Sequence, residues 1–395
     1  MVTDAESSLV EIAYAEQDSW DTIPTSKDMQ VLRTTGESLS QDADFTTSDE
    51  LRQDGQIPER TRTSVQAGGD INGKLSYGTY DTWFEHALRS TFSTELGLSG
   101  QIDADSTNDT FVSDSTGSGV DMSEIETGQW IKTSGFTDSD LNDYWYVTAV
   151  DTSTDSAHEV SVRSSVPTDE TGDGDEAIDG SFIRNGVDKK LLYLEKYFSD
   201  IGEYNYYPGC RIDGFQLNAT NQSLVELTFS TLGKEELTDN QSSQGAGWLS
   251  TNSNPIFNTG ENILRMIEGG NDLPAQEFSL GVENSVRTKG VLGQPTTRET
   301  GIGDFDLTGS LSAYLNDQTL YKKWTNADET DFSIILEDPD GNAYIMTIFR
   351  ANLTDGSEEA DGPNDDVIQD FDYGAQMDDD AGETDKTFQI DKFSA

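Results

Sequence analysis

Period-two alternation of apolar and polar residues constrains this chain more than any other feature, because a segment with that rhythm is stable mainly as a strand of a half-buried sheet. From Ser64 to Tyr77, Val65, Ala67, Ile71, Leu75 and Tyr77 fall on one face and Gln66, Asp70, Asn72, Lys74 and Ser76 on the other. The rhythm returns later. Val225, Leu227 and Phe229 oppose Glu226, Thr228 and Ser230, and Phe278, Leu280, Val282 and Val286 oppose Glu277, Ser279, Glu283 and Arg287. Phe305, Leu307, Leu311 and Ala313 likewise oppose Asp304, Asp306, Thr308 and Ser312. Phe332–Leu336 and Tyr344–Phe349 flank Asp338-Pro339-Asp340-Gly341-Asn342, a turn-rich link that predicts a hairpin. Helical spacing is rarer. After a cap at Thr79 or Asp81, the residues Trp83, Phe84, Ala87, Leu88, Thr91 and Phe92 fit one amphipathic helix. Ile263, Leu264 and Ile267 suggest a short second helix, and Leu320, Tyr321 and Trp324 a third. The expected fold is mainly β, an antiparallel β-sandwich with short edge helices.

The alternation is uneven along the chain, and this predicts its organisation. Residues 1–60 are polar apart from sparse apolar clusters at Leu9–Tyr14 and Met29–Leu32, which reads as an extended N-terminal arm packing on a neighbouring subunit. Residues 61–96 begin the sandwich and 187–395 complete it. Between them, 97–186 turn rich in Asp, Ser, Thr and Gly, with strand-like islands at Gln129–Lys132, Tyr144–Val150 and Glu159–Arg163. Short strands between turn-rich stretches predict a small inserted β-barrel or sandwich domain, facing outward. Within it, Thr168–Gly180 misplaces the glycine and the closing glutamate of a calcium loop, so a solvated turn is expected.

The chain has 395 residues and a formal net charge of -51, from 75 Asp plus Glu against 24 Lys plus Arg. Such charge with low hydropathy would by itself predict disorder. The 14 Tyr, 17 Phe and 6 Trp, set in alternation along most of the chain, predict a folded protein instead. Self-repulsion of this size is tolerable where salt screens it, since the Debye length falls to about 3 Å at molar ionic strength. A halophilic source is therefore expected. The same charge excludes wrapping nucleic acid, which needs Lys and Arg to replace phosphate counterions.

No enzyme is expected. The sequence has no phosphate-binding glycine loop, no His-Glu-x-x-His and no paired cysteines, so neither a cofactor nor a metal is expected. His86 lies on the flank of the first helix and His158 in a polar stretch before a strand, and both are read as structural or solvated. Cys210, the single cysteine, reads as a buried small hydrophobe and can form no intramolecular disulfide. Carboxylate pairs are too common to single one out. No apolar run is long enough to span a bilayer, so no membrane association is expected. Met1–Leu9 has no apolar signal core, which predicts synthesis and assembly in a cytoplasm, with the sequons at Asn108, Asn218, Asn221, Asn240 and Asn352 unmodified.

Four segments, taken in order, resemble the tail tube protein family of long-tailed, siphovirus-like viruses. They are Met29–Leu39 leading to Ser48–Arg52; Gly68–Ile71 running through Leu75–Asp81; Phe198–Asp200 followed by Tyr207–Asp213; and Leu307–Leu311 with Tyr314 and Leu315. Gly135-Phe136 with Asn142 and Tyr146-Val147 is similar to the extra β-domain that some members display outward. The acidity and the long Asp-rich loops depart from the usual pattern. The resemblance implies a major tail tube subunit, with hexameric rings stacked into a hollow tube that conducts viral DNA to the host during ejection. It implies as partners further copies of the chain, the tape measure, tail terminator and distal tail proteins, and DNA that passes without specific binding. It implies no catalytic residues. A strand with one apolar face turns its polar face to water, and in a stacked ring that water is the lumen's, which makes Asp70, Asn72, Glu226, Glu283, Asp304 and Asp306 the lumen-lining candidates. Two other readings stay open. One is another ring-forming virion protein, distal tail or head-tail joining; the other is a surface-layer protein of a halophile.

Overall fold

Where the alternation is strict, the chain is extended and paired. The computed structural model describes residues 5–114, 119–154, 157–359, 362, 366–379 and 385–395, so the start of the Met1–Leu9 stretch lies outside the described residues. The first part of the chain forms β1 (Val10–Glu16), β2 (Met29–Val31), β3 (Gly36–Glu37), β4 (Ser40–Thr47), β5 (Arg60–Lys74) and the helix α1 (Asp81–Ala87). Seven strands follow, β6 (Leu98–Ser99), β7 (Asp103–Asp105), β8 (Thr110–Ser113), β9 (Trp130–Ser134), β10 (Tyr144–Asp151), β11 (His158–Val162) and β12 (Ala177–Asp179). They pair only with one another, in the order β6-β12-β9-β10-β11-β8-β7.

The chain then returns to the main body with β13 (Ser181–Arg184), β14 (Leu192–Phe198), β15 (Glu203–Thr220), β16 (Glu226–Gly233), β17 (Leu237–Asn240) and β18 (Trp248–Leu249). Next come β19 (Ile263–Glu268), β20 (Asn271–Asp272), β21 (Ala275–Glu283), β22 (Arg287–Val291), β23 (Gln294–Gly301) and β24 (Asp306–Tyr314). The helix α2 (Thr319–Asn326) precedes β25 (Glu329–Glu337), β26 (Ala343–Glu359), β27 (Ile368–Ala375) and β28 (Phe388–Phe393).

Two layers build the main body. The first is an antiparallel sheet in which β4, β5, β16, β15, β21, β24, β27 and β26 pair in that order. The second runs β13, β28, β26, β25, β19. Strand β26 belongs to both, and the first half of β15 leaves the first layer to pair with β14. The two apolar faces meet around α1. Trp83 lies 5.3 Å from Phe229 and 5.6 Å from Tyr14, while Phe84 lies 5.4 Å from Phe215 and 6.2 Å from Tyr344, all between ring centroids. Two glycines admit tyrosine rings under the first sheet, since a Cβ would lie 2.0 Å from the Tyr80 hydroxyl at Gly73 and 2.3 Å from the Tyr373 hydroxyl at Gly309.

The structure corrects three local expectations. Ile263, Leu264 and Ile267 lie in a strand, β19, which pairs with β25 from Ile263↔Leu336 to Glu268↔Phe332; apolar residues this few fit either period, and the open edge of β25 decides. The first helix stops at Ala87 rather than running to Phe92, because Arg89 takes a left-handed conformation (φ 55°) that turns the chain. The segment 1–60 is not an arm without a core of its own chain. β1 pairs with β14 from Val10↔Phe198 to Glu16↔Leu192, and Ile12, Tyr14, Leu32 and Leu39 lie in the main core. What projects is the β4–β5 hairpin, where Phe45, Leu51 and Ile57 are exposed. The hairpin expected around Asp338–Asn342 and the helix at Leu320–Trp324 are both present, as β25–β26 and α2.

The seven-stranded sheet has its own core, including Phe111, Ile131, Phe136, Leu141, Trp145 and Val160. Its entry and exit lie side by side, with Ser93 N donating to Phe182 O at 2.8 Å and Leu96 N to Gly180 O at 2.9 Å. β13, inside the expected 97–186 range, pairs with β28 and so belongs to the main body. The insert rests on that body through Trp130, Tyr144 and Tyr146, which pack with Ile335, Ile345 and Phe393.

A buried carboxylate sits at this joint. Asp391 on β28 accepts from Trp130 N at 3.0 Å and from Gln389 Nε2 at 2.8 Å, and burial pushes its carboxyl up to about 7. A folded-state value raised above the usual 3.8 means that the folded state binds the proton more tightly. This group's contribution to stability is thus fully present below about pH 4 and is lost as pH rises through about 7. Asp391→Asn is therefore expected to gain on the wild type as pH rises from about 4 to about 7, by an amount of order a few kcal/mol, and to keep that gain above it. Denaturant midpoints of the two proteins across that range measure the gain, and a constant difference contradicts it.

Candidate functional surface

The first sheet hides its apolar face on α1 and leaves the other face polar. Registers across it align side chains into rows perpendicular to the strands. One row reads Asp70, Ser230, Gly214, Glu283, Asp306 across β5, β16, β15, β21 and β24. The next reads Asn72, Thr228, Gln216, Gly281, Thr308. The third reads Lys74, Glu226, Asn218, Ser279, Ser310, Asp372, Asp355, reaching β27 and β26. A fourth reads Thr220, Glu277, Ser312, Asp370, Ser357.

Five of the six candidates thus share one face. Asp70, Glu283 and Asp306 stand in a single row, Asn72 in the second and Glu226 in the third, and all five are exposed. Asp304 does not join them. It lies in the turn before β24, within electrostatic reach of Arg89. The sequence reading missed Asp370, Asp372 and Asp355, although Phe371 and Tyr373 alternate with Asp370 and Asp372 in the same period-two rhythm.

Hydroxyls and amides knit the rows. Ser230 Oγ donates to Asp70 at 2.9 Å, Thr228 Oγ1 to Asn72 Oδ1 at 2.8 Å and Ser312 Oγ to Asp370 at 2.5 Å, while the Ser279 and Ser310 hydroxyls lie 2.7 Å apart. The cation in these rows, Lys74, pairs with Glu226. Two pairs of carboxylates face one another: Glu283 is directly opposite Asp306, and Asp372 opposite Asp355. Like charges in directly opposed positions destabilise a sheet. Fold stability therefore gives no reason for this arrangement. Such a face repels phosphate and holds a layer of water and mobile cations.

The other titratable groups singled out in the sequence are used within the fold. His86 is buried against Glu16 at 3.3 Å, and burial pushes its imidazole below the usual value. His158 is buried in β11 rather than solvated, its Nδ1 accepting from Met122 N at 3.1 Å. Cys210 is fully buried, which pushes its thiol up to about 12. In the Thr168–Gly180 stretch the Glu176 carboxylate is buried and accepts from Asp173 N at 2.8 Å and Gly174 N at 3.0 Å, an anchor for the turn. Among the described residues no group of His, Cys, Asp and Glu could hold a metal ion, and no helix is long and apolar enough to cross a membrane. No curated protein matches this chain. A family model described as phage tail tube protein does, over residues 7–375.

Proposed function

The chain belongs to the phage tail tube protein family, and from that premise we propose that six copies close into a ring, that rings stack into a hollow tube, and that viral DNA runs along its bore at ejection. The family makes the chain a non-enzymatic structural component of the virion tail, assembling with other tail proteins into an oligomeric tube. The polar face of the first sheet is the proposed bore lining. One observation carries this reading: the face keeps Glu283 opposite Asp306 and Asp372 opposite Asp355 despite the repulsion, as a surface that must not bind phosphate would. Lysines there would trap the genome.

In this reading the tape measure, tail terminator and distal tail proteins are partners of the tube, and assembly takes place in the host cytoplasm. The insert carrying β6 to β12 faces outward, which its adjacent ends favour, since a domain joined at neighbouring points can be carried without threading the sheet. The charge of -51 suits a host rich in salt.

Electron microscopy of the purified protein tests the proposal, in molar salt and again in salt of about 0.1 M, where the Debye length reaches roughly 10 Å and carboxylate repulsion returns. Stacked tubes of uniform bore that fall apart in dilute salt are expected. Single rings would assign the chain to a tube end, and flat lattices to a surface layer.

A further inference from the structure

In a chain with 75 Asp plus Glu residues, a buried guanidinium stands without a carboxylate. Arg211 on β15 is 5% exposed, its Nε has no hydrogen-bond partner, and among the described residues no ion pair reaches it. The Glu299 carboxylate is within electrostatic range, yet it is already held by Lys289 at 3.1 Å and is shared with Lys189 as well. Three cations therefore share the field of one anion. A buried guanidinium nitrogen without a partner is costly, and a native structure that keeps one calls for a partner.

The surroundings are unlike the rest of the surface. Arg287 and Lys289 lie over Gly301 on the β22–β23 hairpin, where a Cβ would meet their side chains at 3.3 and 3.1 Å. Lys189 is exposed two residues after exposed Val187, and Leu292 is exposed at the tip of that hairpin. A cluster of cations on an otherwise acidic chain is complementary to another part of the same acidic surface.

We propose that the patch formed by Arg211, Lys189 and Lys289 is a contact between subunits, in which a carboxylate of a second copy of this chain completes the Arg211 guanidinium. The proposal rests on the tube-assembly reading above. It predicts that the contact forms only on assembly and that the isolated subunit holds Arg211 unpaired.

Arg211→Met keeps much of the buried stem and removes the charge. The isolated variant is expected to melt no lower than the wild type, while the protein concentration at which tubes form rises by at least about tenfold, the factor that corresponds to losing one such pair. Assembly at the wild-type concentration overturns the proposal. If Arg211→Met fails to fold, Lys189→Glu at the exposed rim decides: a raised threshold supports the contact and an unchanged one refutes it. Chloride stabilisation of the wild-type monomer that vanishes in Arg211→Met, with assembly unaltered, would give the pocket to a free anion and overturn it too. A wild-type chain that never assembles removes the tube reading and this inference together, whereas wild-type tubes with indifferent variants remove this inference alone.

Discussion

Changing Glu283 and Asp306 together to lysine is expected to leave tails assembled and to slow DNA ejection by at least about tenfold, with the delay shrinking as salt is raised. The two carboxylates face one another across β21 and β24 in the row that also holds Asp70, and both side chains are exposed, so neither change disturbs the core. Every subunit repeats them, so each layer of the tube would present a band of ammonium groups to passing phosphate. Asp304, expected from the sequence to lie on the same face, is left unchanged because it lies outside the strands, near Arg89. The paired control is Glu283→Gln with Asp306→Asn. It removes repulsion without adding attraction, so it should eject normally and gain about 0.2–1 kcal/mol in subunit stability. Dye-reported DNA release from purified virions measures the rates. A lysine variant that ejects as fast as the wild type rules these residues out of the DNA path.

A chain beginning at Asp18 is expected not to fold at all. It lacks β1, whose pairing covers β14 along its whole length and whose Tyr14 ring packs edge-on against Trp83 at 5.6 Å. Loss of one large buried side chain costs about 2–5 kcal/mol, and β1 supplies Ile12, Ala13, Tyr14 and Ala15 to the buried interior. With the unpaired edge of β14 added, the sum reaches the whole stability of an ordinary domain, about 5–15 kcal/mol. Shortening the exposed hairpin between Ser48 and Pro58, by contrast, should leave the subunit folded. Far-ultraviolet circular dichroism and the cooperativity of thermal unfolding separate the two outcomes. Cooperative melting of the Asp18 chain would show that the first strand is dispensable.

The contrast between those two segments marks the limit of what periodicity carries. Strict alternation in 65–77, 225–230 and 278–283 was enough to assign both the buried and the wet side chains of β5, β16 and β21, because period two alone decides the face. Leu9–Tyr14 and Met29–Leu32 look too sparse for a core because the residues that complete them, Leu194, Tyr207 and Trp83, lie far away in sequence. Ile263, Leu264 and Ile267 are a strand only because β25 offers an edge. The candidate surface was legible strand by strand, but not as a surface. That Asp70, Glu283 and Asp306 form one row depends on three registers through Ser230 and Gly214, and a register is a property of pairs of strands. Arg211 is the opposite case. An arginine in a long strand shows nothing in the sequence, and only its burial without a carboxylate sets it apart.

The central claim, that the polar face of the first sheet lines the bore, is tested most directly by a cysteine at the middle of that face. Asp306→Cys places a thiol in the row with Glu283 and Asp70, while the native Cys210 is fully buried and its thiol is pushed up to about 12, so it stays silent. A maleimide carried on a gold particle too large to enter the tube is offered to assembled tubes and to dissociated subunits. Labelling of the dissociated subunits alone is the predicted result, and gold decorating the length of intact tubes would place this face on the outside and contradict it.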